Sequence, residues 1–176
     1  LFFGLITSIN ADTKRIVSGD QDAKITIIAY ESLTCSHCAN FHNEVYPELK
    51  KEFIDTGLAS IEFRNFPLDL AALNASKLAH CKNNGSSELL HFLYKNQTRW
   101  IKGNNIIDLN NNLKKIMNDS GITLDFESCV NNKKIEDFIL KERIDGSKKY
   151  SIDSTPTLII NGEKFDNKLN FKNLEK

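Results

Sequence analysis

Charge of one sign, glycine, proline and long apolar runs are all scarce in this chain. Its 176 residues carry 23 basic and 23 acidic side chains, so the formal net charge is zero. No block of five or more like charges occurs, and a nucleic-acid-binding face is therefore not expected. Eight glycines and three prolines argue against long disordered linkers. No apolar run approaches the roughly 20 residues of a membrane span. There is no glycine-rich phosphate loop and no cluster of ligands at metal spacing, so neither a cofactor nor a metal is predicted.

The hydrophobic content of 40% fits one compact domain, or one carrying a sizeable insertion. The first eleven residues, Leu1 to Ala11, are apolar and then small. They are read, within residues 1–14, as an N-terminal arm or an export-signal remnant. The chain has four cysteines, an even number that suits an oxidising compartment.

The most informative stretch is Cys35-Ser36-His37-Cys38. It follows the β-branched run Ile25-Thr26-Ile27-Ile28, whose near-continuous apolar character predicts a buried strand ending near Glu31. From Cys35 to about Thr56, Phe41, Val45, Leu49 and Phe53 recur at intervals of four, which predicts a helix. Thr34 is its expected N-cap, Gly57 its expected stop, and Pro47 an expected kink. Leu58 to Phe66 alternates as the next strand. This β-α-β order predicts a parallel pair with a right-handed crossover.

Residues 69–149 then carry helical patterns almost throughout. Expected starts are Asp69, Ser86 or Ser87, Asn104 or Asn105, and Thr123, and the last helix is expected to end near Gly146. Strands return at Thr157 to Asn161, with Asn161-Gly162 as a hairpin turn into Lys164-Phe165. Leu169 to Lys176 is read as a final helix. The predicted fold class is α/β: a thioredoxin-like domain (15–68 and 150–176) split by an all-helical insertion (69–149).

Two thiols three residues apart at a helix start can close a small disulfide ring, or open one by attack on another sulfur. Only a thiolate attacks, and unpaired backbone N–H groups at a helix N-terminus favour that anion. Cys35 is thus the expected nucleophile and Cys38 the more buried resolving thiol. His37 adds positive charge or a hydrogen bond, or stands simply as a surface residue. Half a zinc site would need two further ligands at a fitting spacing, and Cys81 and Cys129 stand singly. Ser154-Thr155-Pro156-Thr157 precedes a strand. A cis bond at Pro156 would leave the Thr155 backbone free to pair with an extended peptide, whereas a trans proline would only open the strand.

Taken together, Thr-Cys-Ser-His-Cys-Ala-Asn-Phe-His (34–42), Phe-Arg-Asn-Phe-Pro-Leu-Asp (63–69) and Ser-Thr-Pro-Thr-Leu-Ile-Ile-Asn-Gly (154–162) resemble the bacterial DsbA-like family of the thioredoxin superfamily. The resemblance covers about residues 15–170. It implies a monomeric periplasmic thiol–disulfide oxidoreductase that introduces disulfides into unfolded or partly folded secreted proteins. It also implies re-oxidation by a DsbB-like quinone-linked membrane oxidase. Ser36, Thr155 and Pro156 would then bind substrate beside Cys35, Cys38 and His37. An isomerase or reductase with the same site, and a redox-inactive peptide-binding chaperone, are the alternatives. Leu1–Ala11 is either cleaved or kept as a tether.

Two departures from the family pattern stand out. Ser36 replaces the usual proline between the cysteines. The buried acid that many relatives place six residues before the nucleophile is Ala29 here. Glu31, on the same strand face, either replaces that acid in proton transfer or is a solvated residue at the strand end. Some family members carry a second disulfide near the positions of Cys81 and Cys129. Those two residues form a structural disulfide or remain inert buried thiols.

Overall fold

The computed structural model describes residues 12–176, so the arm or signal remnant at Leu1–Ala11 lies outside the described residues. The strands are β1 (Ile16–Gly19), β2 (Ile25–Glu31), β3 (Ala59–Asn65), β4 (Thr157–Ile160) and β5 (Glu163–Lys164). Among the described residues they form one mixed sheet in the order β1-β3-β2-β4-β5. β2 and β3 are parallel, and the other neighbours are antiparallel. The edge strand β1 runs through Ser18 to Gly19 and pairs with β3.

Alternation along β2 explains why its run is nearly all apolar. Ile27 and Ala29 face the main core with Ile61, Phe63 and Leu158. Tyr30, one step out of phase, packs with Phe66, Ile152 and Ile159 on the opposite face. A strand covered on both sides has no solvent side to leave polar.

The β2–β3 crossover is helical from residue 36 to residue 54. It comprises α1 (Ser36–Asn40), a π-helical turn at Phe41–Val45, α2 (Tyr46–Leu49) and a second π-helical turn at Lys50–Ile54. Pro47 sits in the first turn of α2, directly after the first π-helical turn. The N–H that proline lacks is not required at such a position, and the wider turn accommodates the change of register. The expected kink is thus expressed as π geometry in an unbroken helix.

The helical segment contains α3 (Leu70–His80), α4 (Glu88–Lys95), α5 (Gln97–Trp100), α6 (Ile106–Asp119), α7 (Phe126–Val130) and α8 (Lys133–Tyr150). Asp69 and Asn105 cap α3 and α6 through side-chain bonds to Ala72 and Asp108. α7 is capped by Asp125, which accepts from Ser128 N–H, and not by Thr123. α8 runs past Gly146 to Tyr150. Gly146 lies under the Tyr30 ring, where an added Cβ would stand 2.5 Å from Cε1. This glycine is a close-packing residue, not the helix stop that the sequence predicted. The chain closes with α9 (Phe171–Leu174), shorter than the expected final helix.

Candidate active site

β2 ends at Glu31, and the chain turns through Ser32-Leu33-Thr34 into α1. The residue immediately before the helix is Cys35, in extended conformation at φ −78°, ψ 120°. Its N–H donates to the Ser32 carbonyl at 3.0 Å, and its carbonyl accepts from Ala39 N–H at 3.1 Å. The capping position therefore belongs to Cys35. Thr34, the predicted cap, instead donates its hydroxyl to Asp69 Oδ2 at 2.7 Å, tying the loop to the start of α3. Gln97 Nε2, buried in α5, donates to the carbonyls of both Leu33 and Cys35 at 2.9 Å. These bonds fix the sulfur-bearing turn from three directions in sequence.

Cys35 and Cys38 are free thiols here. Cys35 is partly exposed and Cys38 is fully buried. The Cys35 thiol is lowered to about 5, chiefly by a hydrogen bond from the Cys38 thiol. The Thr155 side chain and the backbone N–H groups of Cys38 and His37 pull in the same direction, against the opposing cost of burial. His37 thus serves the thiolate through its backbone amide, while its side chain is exposed in α1. The Cys38 thiol is pushed far above the ordinary range, first by burial, then by its bond to Cys35 and by the charge of Glu31. The two sulfurs have opposite tendencies: one is held as an anion and the other keeps its proton.

The Thr155–Pro156 peptide bond is cis. As a thiol, Cys35 donates to the Thr155 carbonyl oxygen at 3.3 Å, so β4 brings these two distant sequence motifs together. Beside them lies a groove of about 430 Å³ lined by His37, Phe41, Val45, Pro156 and Leu169, with Glu44 and Lys168 among its polar residues. Ser36 is exposed at the first position of α1.

Glu31 is 4% exposed, so it is not the solvated strand-end residue that the sequence left open. Both of its carboxylate oxygens lie 2.8 Å from Nε2 of His42. Ala29, in the position of the usual acid, is fully buried in the core. The sequence reading missed the roles of His42 and Gln97. His42 was accessible in principle, since it lies four residues after Cys38 and so shares its helix face. Gln97 comes from a distant helix and carries no local signal. Cys81 and Cys129 are joined in a disulfide with a Cα–Cα distance of 5.5 Å, linking the end of α3 to α7. Among the described residues, no group of three or more His, Cys, Asp or Glu side chains is arranged to hold a metal.

A family model described as thioredoxin matches residues 11–176. The crystal structure of alpha-DsbA1 from Wolbachia pipientis superposes with a TM-score of 0.82 at 32% identity, covering 92% of this chain and 87% of that one. BdbD from Bacillus subtilis superposes with a TM-score of 0.70 at 22% identity over 92% and 89% of the two chains, a likeness of fold. A curated relative from Rickettsia bellii, "Putative protein-disulfide oxidoreductase", is 30% identical over 159 residues, or 89% of this chain. The chain spans 60% of that relative's length.

Proposed function

The chain belongs to the thioredoxin family, in its DsbA-like branch, and from that premise we propose that it is a thiol–disulfide oxidoreductase that donates its Cys35–Cys38 disulfide to exported proteins. The observation that carries this reading is the lowering of the Cys35 thiol to about 5 beside a buried Cys38. A stabilised thiolate stabilises the reduced form, which makes the disulfide oxidising.

In the proposed reaction, a substrate thiolate attacks the Cys35 sulfur and breaks the Cys35–Cys38 bond. The electron pair leaves on Cys38, which takes up a proton. A second substrate thiolate then attacks the substrate sulfur of the mixed disulfide. Substrate leaves oxidised, and Cys35 leaves as its stabilised thiolate. His37, Phe41 and Pro156 in the adjoining groove would seat the peptide, whose backbone would pair beside Thr155. Glu31, whose charge acts on Cys38, would serve as its proton-transfer group.

The proposed site of action is the periplasm, as a monomer, on unfolded or partly folded secreted proteins. A DsbB-like quinone-linked membrane oxidase would restore the disulfide. No described helix is long and apolar enough to cross a membrane. A tether formed by Leu1–Ala11 would lie outside the described residues.

Equilibration with a glutathione buffer tests the reading. An oxidase is expected to equilibrate well above the roughly −270 mV of thioredoxin, toward the roughly −120 mV of DsbA. Equilibration near the thioredoxin value would replace it with a reductase. Full client-folding activity in a Cys35→Ala variant would replace it with a peptide-binding chaperone.

A further inference from the structure

Behind Cys38 lies a buried array of ionisable side chains that extends beyond Glu31. The His42 side chain is 1% exposed. Its Nε2 meets the Glu31 carboxylate, and its Nδ1 lies 2.8 Å from Nδ1 of His91 in α4. His42 stacks on Tyr94 with ring centroids 4.0 Å apart, and His91 stacks on Tyr46 at 4.6 Å. The His91 Nε2 is buried without a hydrogen-bond partner among the described residues, as are the Tyr46 and Tyr94 hydroxyls. Holding a buried carboxylate needs one donor, which His42 supplies. A second imidazole, end to end with the first, adds nothing to that requirement, and its burial has a cost.

The end-to-end arrangement does have a chemical consequence. An ionised Glu31 only accepts, so His42 donates Nε2–H, and His42 Nδ1 then accepts Nδ1–H from His91. A proton arriving at His91 Nε2 reverses every bond. His91 passes its Nδ1 proton to His42, and His42 passes its Nε2 proton to Glu31. The array has one proton more, and it appears at the carboxylate. Burial holds His91 down to about 3, with His42 and Lys50 acting in the same direction, so it rests neutral with one bare nitrogen. Tyr46 and Tyr94, both raised by burial, stay protonated. The charge of Glu31 acts on Cys38, and Tyr94 senses Glu31, Cys38 and Cys35 together.

We propose that His42 and His91 form, with Glu31, a buried relay that supplies the proton taken up by Cys38 when the disulfide is opened and receives it when the disulfide re-forms. The inference rests on the oxidoreductase reading. The step balances: the substrate sulfur bonds to Cys35, the Cys35–Cys38 bond breaks with its electron pair on Cys38, and that sulfur takes the relay's proton. The proton shed by the substrate thiol refills the relay through His91, a residue only half-buried although its Nε2 is covered. His42 and His91 are positioning residues that act through Glu31.

The test is His91→Gln, which keeps a hydrogen bond to His42 but cannot pass a proton from one ring nitrogen to the other. Oxidised protein is mixed with glutathione, and the opening rate is followed against pH in H₂O and D₂O. The relay predicts a slowing of about tenfold or more, a changed pH profile and a smaller solvent isotope effect, with Cys35 titrating as in the parent. An unchanged rate and pH profile overturns the relay. Should His91→Gln fail to fold, ring-nitrogen NMR of the parent decides. Shifts of His42 and His91 that differ between oxidised and reduced protein support the relay, and identical shifts overturn it. A parent that does not exchange with glutathione overturns the oxidoreductase reading itself. A parent that exchanges while His91→Gln matches it overturns the relay alone.

Discussion

At the scale of single residues, two shifted titrations push stability in opposite directions. Cys35 is lowered from 9.0 to about 5 in the fold. A group whose folded value is depressed adds stability that is complete above its unfolded value and is lost as pH falls through its folded one. Reduced protein should therefore lose stability relative to the oxidised form between about pH 9 and pH 5. Urea midpoints of both forms across that range, with thiolate absorbance read in parallel, check the sign. Glu142 behaves in the opposite sense. Burial raises it from 4.5 to about 7, although the backbone and side-chain N–H groups of Asn65 favour its charged form. Its folded carboxyl binds a proton more tightly than the unfolded one, so stability should fall as pH rises from about 4.5 to 7. Glu142→Gln keeps an oxygen to accept from Asn65 and has nothing to ionise. It is expected to match the parent near pH 4 and exceed it above pH 7, and equal pH dependence of the two melts would refute this.

At the scale of elements, the close pair is α8 on β2. Gly146→Ala brings helix propensity worth up to about 1 kcal/mol, but drives a Cβ to 2.5 Å from the Tyr30 ring. Overpacking of this kind costs about 1–3 kcal/mol, so a net loss in chemical denaturation is expected, and a gain would show that the ring can move aside. Gln97→Leu is a second element-scale case. It removes the two bonds from α5 to the carbonyls of Leu33 and Cys35. The Cys35 carbonyl keeps its bond from Ala39 N–H, but leaving the buried Leu33 carbonyl unpaired costs about 1–3 kcal/mol, so a lower urea midpoint is expected. These two contacts mark where sequence patterning stops being informative. The near-continuous apolar run along Ile25–Glu31, and the apolar interval of four after Cys38, announce a strand and a helix because both patterns are local. Asp69 and Asn105 announce helix starts for the same reason, since each caps an N–H three residues on. Thr34 fails as a cap because its hydroxyl finds Asp69, 35 residues away. At the site, Cys35, Cys38, Thr155 and Pro156 are legible as motifs, whereas His91 and Gln97 reach it only through the docking of α4 and α5.

At the scale of the whole molecule, α3 connects the active-site loop to the far side of the helical layer. Its N-cap, Asp69, accepts the Thr34 hydroxyl one residue before Cys35, and its C-cap, Cys81, is bonded to Cys129. The same helix is held to its neighbours by buried Lys77, which donates to the Val130 carbonyl at 2.9 Å and pairs with Glu136. The disulfide and this polar anchor therefore bind the same helices redundantly in the native state. In the unfolded chain only the disulfide persists. Closing a loop with a sequence separation of 48 removes unfolded-state entropy worth about 4 kcal/mol in the chain-entropy model. A Cys81→Ala/Cys129→Ala variant should keep its fold and melt lower by roughly 8–16 °C, taking about 2–4 °C per kcal/mol for a chain of this size. Because Asp69, Gln97 and the α1 amides are untouched, Cys35 should titrate near its parent value, and thiolate absorbance reads this in the same samples. A melt unchanged within a degree would mean that the Lys77 anchor and the apolar core alone set stability. A displaced Cys35 titration would mean that α3 transmits strain from its disulfide end to its catalytic end.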